Sequence, residues 1–179
     1  MSLSTIISRI ATAHIFVIRD GASITSPSSG TASRTLAPDN SESTWSDWGD
    51  TEMFSIEKIG ETIETFAGAP GRRVRYDVLH TNQGIDLSFE MMKVRAEAFE
   101  LVMGTAALTT ASTQFNPLEG AEKKVWLRAQ LYDQNNALLA VIQMYGDLDY
   151  DGAMEVGPSI IRPKFKFRGL HSIYNTGSL

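Results

Sequence analysis

Short runs in which apolar and polar residues alternate dominate the chain, the period of a half-buried β-strand. Ala13 to Arg19 (AHIFVIR) is apolar and β-branched, and stops at the turn pair Asp20-Gly21. Arg72 to Leu79 sets Val74, Tyr76 and Val78 against Arg73, Arg75 and Asp77. Val125 to Asp133 sets Val125, Leu127, Ala129 and Leu131 against Trp126, Arg128, Gln130 and Tyr132. Asp133-Gln-Asn-Asn136 then turns the chain into Leu138 to Tyr145, which predicts a hairpin. A last strand is expected over Ser159 to Phe167, with Ile161, Phe165 and Phe167 on one side and Arg162, Lys164 and Lys166 on the other. Pro163 inside it suggests an edge or a bulge.

Two stretches need a decision. In Thr51 to Phe66, the spacing of Ile56, Ile59, Ile63 and Phe66 suits a helix. Against that, Ile, Thr and Phe favour strands and Gly60 would weaken a helix. The expectation is one long strand with a β-bulge at Gly60. Ser88 to Gly104 (SFEMMKVRAEAFELVMG) is read as a helix: Ser88 is a good N-cap, Met91, Val94, Ala98, Leu101 and Val102 form one stripe, and Gly104 is a natural stop. The fold class expected is mainly β with one α-helix, an antiparallel β-barrel or sandwich in a single domain over residues 1–179. Residues 25–48 (TSPSSGTASRTLAPDNSESTWSDW) interrupt this order. They have no periodicity, and so long a loop needs something to hold it. A partner chain is the expected holder.

Composition narrows the function classes. The chain has 179 residues, is 42% hydrophobic and 21% charged, and contains no cysteine. That excludes a disordered chain, a disulfide scaffold and thiolate metal sites. The net charge of −5 argues against a protein whose work is gripping phosphates. No apolar run nears the roughly 18 residues of a spanning helix, and the N-terminus has no leading basic cluster, so neither a membrane segment nor a signal peptide is expected.

Candidate chemistry is sparse. Asp147, Asp149 and Asp151, followed by Gly152, match the first half of an EF-hand loop and are candidate calcium ligands. The match fails at the twelfth position, Pro158, where a bidentate glutamate is needed, so a solvated acidic turn is the expectation. His14, His80 and His171 are far apart, and no nucleophile, zinc-protease or phosphate-loop motif occurs, so no enzyme and no cofactor are expected. Glu57, Glu61 and Glu64 stud the long strand; Arg72, Arg73 and Arg75 form a basic patch that would suit an acidic strip on a neighbouring subunit. Trp45 and Trp48 would be a liability if exposed and anchors if covered by another chain.

The order of these elements resembles the tail tube (major tail) proteins of long-tailed bacteriophages. It runs from a Ser/Thr-rich loop through W-x-x-W-G-x-T-E (Trp45 to Glu52) to a long Ile/Glu strand, a Pro-Gly turn and a basic strand. The expected helix, a hairpin and a basic-aromatic C-terminal strand complete it. The inner-tube protein of type VI secretion systems shares this architecture. The resemblance implies a non-enzymatic virion component, made in the host cytoplasm. It would form hexameric rings whose strands join into one inner β-barrel, with residues 25–48 as the stacking loop. It also implies tape measure, terminator and distal tail proteins as partners, and DNA passing without specific binding. Glu57, Glu61 and Glu64 are then luminal candidates; Trp45, Trp48, Arg72, Arg73 and Arg75 are inter-subunit candidates. Two other classes stay open on the residues themselves: a carbohydrate-binding β-sandwich using the tryptophans as a stacking platform, and a calcium-dependent enzyme or adhesin centred on Asp147.

Overall fold

The computed structural model describes residues 11–69, 72–93, 123–152 and 162–178. Its strands are β1 (Thr12–Arg19), β2 (Ser23–Ile24), β3 (Gly30–Thr31), β4 (Ser46–Ala69), β5 (Arg72–Met91), β6 (Lys124–Tyr132), β7 (Leu138–Tyr150), β8 (Lys164–Gly169) and β9 (Thr176–Ser178). Strands β6-β1-β4-β5-β8-β7 are hydrogen-bonded in that order, and β6 pairs with β7, so an antiparallel barrel of six strands closes on itself. β9 adds to the free half of β7, and β2 with β3 makes a separate two-stranded ribbon.

Alternation fills the interior. Ala13, Ile15 and Val17 meet Val125, Leu127, Ala129 and Leu131 from β6, and Leu87, Phe89 and Met91 from β5. Phe165 sits at the centre, with ring centroids 5.3 Å from Trp48, 5.5 Å from Phe89 and 5.8 Å from Tyr150. Gly146 lets β7 close on β8, because a Cβ there would sit on the Arg168 carbonyl and the Phe167 ring.

The structure corrects three expectations. Ser88 caps no helix. Ser88 to Met91 end β5, with Ser88 opposite Ser55 on one side and Lys166 on the other. Leu87, Phe89 and Met91 alternate into the barrel, and pairing on both edges outweighs the helical spacing that Met91 shares with Val94. Residues 94–104 of the expected helix lie outside the described residues, as do residues 1–10, the Pro70-Gly71 turn and residues 159–161. The second correction concerns the bulge. Gly60 pairs regularly with Gln83, and β4 carries extra residues at Trp48, against β1, and at Glu52, against β5.

The third correction concerns residues 25–48, which are held by the chain's own barrel. The indole N–H of Trp126 donates to the Ser33 carbonyl at 2.9 Å, and the Gln143 amide donates to the Pro38 carbonyl at 2.7 Å. Ile24, Ala32, Leu36, Ala37 and Trp45 pack with Ile18, Trp126 and Tyr145 into a second, smaller core outside the barrel wall. Inside this lid, the Glu42 carboxylate accepts the backbone N–H groups of Thr25 at 2.6 Å, Ser26 at 2.8 Å and Thr44 at 3.1 Å. Those bonds, Ser26's the strongest, hold its pKa down at about 2. A buried carboxylate facing backbone donors thus replaces regular secondary structure as the organiser of the lid.

Candidate assembly surface

The unusual feature of this barrel is a hairpin that outgrows it. β4 pairs with β1 only from Ser46 to Asp50, and β5 pairs with β8 only from Asp86 to Glu90. Beyond those points the two strands pair with each other alone, down to Ala69 opposite Arg72. Residues 56–69, at about 3.3 Å each, give an arm of at most roughly 45 Å. Among the described residues no strand covers the outer edge of β4 past Thr51 or that of β5 before Asp86.

Along the arm and at its root, water reaches large apolar side chains as well as charged ones. Met53, Ile56, Ile59, Ile63, Phe66 and Ile85 are each between 41 and 65% exposed. β4 alternates without interruption from Phe54 onward, because the later register shifts place their extra residues on β5. Glu57, Ile59, Glu61 and Ile63 therefore share one face, and Ile56, Lys58, Glu64 and Phe66 the other. The three luminal candidates do not share a face: Glu57 and Glu61 do, and Glu64 stands opposite. Arg72, Arg73 and Arg75 lie at register positions opposite Ala69, Gly68 and Phe66, at the far end of the arm.

At its root the arm borders two mostly apolar grooves, both lined by Ile56. One, of about 580 Å³, lies between Phe54, Phe89 and Leu131; the other, of about 370 Å³, lies between Ile85, Leu87, Ile142 and Gly177.

The tryptophans divide. A spacing of three residues places them on opposite faces of an extended chain. Trp48 points inward and is 3% exposed, so it is core and neither an anchor nor a stacking platform. Trp45 belongs to the lid: its indole N–H donates to the Asp39 carbonyl at 2.7 Å, and the Arg128 guanidinium lies 5.9 Å from its ring and 5.6 Å from that of Phe16.

The aspartates have protein partners. β5, β8 and β7 present outward rows that are acidic, basic and acidic in turn. Lys164 pairs with Glu90 at 3.4 Å, Lys166 with Asp86 at 3.3 Å, and Arg168 with Asp147 at 3.5 Å and Asp149 at 3.7 Å. Lys123 reaches Asp149 at 2.7 Å and is the main reason its carboxyl titrates below the usual range. The expectation of a solvated acidic turn is corrected accordingly: Asp147 and Asp149, the calcium candidates, are strand residues in a cross-strand ion network, and Asp151 follows the strand end, its N–H on the Lys164 carbonyl at 2.8 Å. Among the described residues no cluster of His, Asp and Glu has the geometry to hold a metal. The His14 ring bridges two carboxylates instead, 2.8 Å from both Asp47 and Asp50, and ties β1 to β4 on the outer wall.

The overhang itself was partly legible. A strand as long as Ser46–Ala69 exceeds by far the usual 3–10 residues, so part of it must leave the barrel. The interleaved Ile and Glu over 56–64, which put charge and large apolar side chains on the same stretch, fall in the part that does.

No protein-family model matches the sequence, and no curated protein does. Among solved structures, the fold is similar to a chain in the cryo-EM structure of the anti-feeding prophage (AFP) baseplate, 6-fold symmetrised. That match has a TM-score of 0.40 and 9% identity over 89% of each chain. Likeness at this level is too slight to carry a functional conclusion.

Proposed function

We propose that the protein is a non-enzymatic structural subunit of a tail-type particle, and that its arms join into a closed ring. The observation that carries this reading is the arm, whose two unlike edges no strand covers among the described residues. β4 and β5 run in opposite directions, so the β5 edge of one copy suits the β4 edge of the next as an antiparallel pair. Such a contact is head-to-tail, and repetition with rotation closes a ring. Closure also removes a liability, since a long apolar edge left open in a monomer is a template for aggregation. That the ring has six members, stacks into a tube and conducts DNA comes from the resemblance to tail tube proteins. The net charge of −5 and the Glu57 and Glu61 face favour a bore that does not bind phosphate. A type VI inner tube, which the sequence also resembles, would use the same ring.

Negative-stain microscopy of the purified protein, with sedimentation to count subunits, tests this reading. Rings or tubes that persist in chelator are expected. Uniform monomers at high concentration would sink the proposal.

A further inference from the structure

A second surface is built to present apolar side chains. Between β8 and β9 the chain makes a turn, Leu170 to Asn175, that is fixed from several sides. The Asn175 side chain accepts the Tyr145 N–H at 2.9 Å and donates to the Leu170 carbonyl at 2.8 Å. The Ser172 hydroxyl donates to the Arg34 carbonyl at 2.8 Å and accepts the Tyr174 N–H at 3.2 Å, and the Arg34 side chain donates to the His171 carbonyl. This ordered turn holds Ile173 80% exposed and Tyr174 43% exposed. A pre-organised apolar side chain loses little entropy on being covered, which is the character of an interface anchor.

What would cover it follows from its neighbour. The groove of about 370 Å³ begins beside this turn, at Asn175, Thr176 and Gly177, and crosses to Ile85 and Ile56 over Met144. Its lining among the described residues is uncharged and mostly apolar, which favours an apolar segment over an ionic ligand. It opens where β8 has ended, between the free edge of β5 and that of β9, the last strand of its sheet. Two open backbone edges over an apolar floor suit an extended strand with apolar side chains. The outer edge of β4, with its exposed isoleucines, is such a strand, and in a ring it arrives at the β5 edge from the next copy.

We propose that the Leu170–Asn175 turn and this groove form a seat for the arm of a second copy of the chain, with Ile173 as its anchor. The proposal rests on the ring reading above and adds a contact outside the arm's own edges.

The absence of cysteine from the chain makes a labelling test clean. In the Ile173→Cys protein, a bulky maleimide should react at least about tenfold more slowly in the assembly than in dilute subunits, as for a covered anchor. A Leu138→Cys control, at the β6–β7 turn, should react equally in both. Ile173→Asp should leave the melting temperature of the subunit unchanged and raise the concentration needed for assembly by at least about tenfold. Equal labelling of Ile173→Cys in both states overturns the seat, and so does normal assembly of Ile173→Asp, the result expected if the turn serves some other protein. If the unaltered protein never assembles, the ring reading falls and takes the seat with it; if it assembles and Ile173 is uncovered, only the seat falls.

Discussion

The same two strands live in two environments. At their root, β4 and β5 are flanked by β1 and β8, and Trp48, Leu87 and Phe89 turn into a closed core. A few residues further on, the strands stay paired through two bulges on β5, yet Ile59, Ile63 and Phe66 face water. Backbone pairing is alike in both halves; only the neighbours differ. Hydrogen bonds between two strands thus suffice to extend a hairpin, while stability in the isolated subunit comes from what the side chains bury. The root is a finished structure and the arm is half of one.

Substitution should separate the halves. Phe165→Ala removes the ring at the centre of the core and should cost about 3–5 kcal/mol in urea unfolding. Ile63→Ala, on the arm, should stay within about 0.5 kcal/mol of the parent while weakening assembly. An Ile63→Ala subunit destabilised as much as Phe165→Ala would show that the arm is already packed, and the contrast would collapse.

A smaller effect should separate the lid from both. Glu42 titrates near 2 in the folded protein against an ordinary 4.5. Its folded pKa is depressed, so the stabilisation is fully present above about pH 4.5 and fades as pH falls from there toward 2. Asp39, whose carboxyl the Ser26 and Ser41 side chains also pull down, should act in the same direction. Fluorescence of Trp45, in the lid, and of Trp126, which it covers, is expected to change in this window. Glu42→Gln, which keeps no titrating carboxyl, should loosen the lid already at neutral pH and shrink the change across this window. A change identical to the parent's would mean that the apolar contacts of Ile24 and Leu36 hold the lid without the carboxylate.

The smallest effect belongs to the outer ion network. Arg168 is half exposed where it pairs with Asp147 and Asp149. Arg168→Ala should cost about 1 kcal/mol or less, with the cost shrinking at high salt. A loss of several kcal/mol would mark this wall as part of the core's support.

How far each region was legible follows from the range of the forces that set it. The β6–β7 hairpin was readable because its signals are local. Alternation places Val125 to Leu131 inward, and the Asp133 carboxylate accepts the N–H groups of Asn135 at 2.7 Å and Ala137 at 2.8 Å, while Asn136 adopts a left-handed φ of 60°. The arm's strand character was readable for the same reason. The lid was not, because Trp126 and Gln143 hold it from 93 and 105 residues away, and its organiser is one carboxylate among many.

The sequence by itself determined the class of the fold, the strands with strict alternation and the absence of thiol chemistry, since each depends on side-chain identity or on a period along the chain. Tertiary structure alone decided that Ser88 to Met91 are strand, that Trp48 is core while Trp45 belongs to the lid, that the aspartates of β7 answer Arg168 and Lys123, and that Glu57 and Glu61 part company with Glu64. Those outcomes depend on which strand lies beside which and in what register. A shift of one residue exchanges the faces of a strand, so only the paired sheet fixes which side chains point into the core and which remain for another chain.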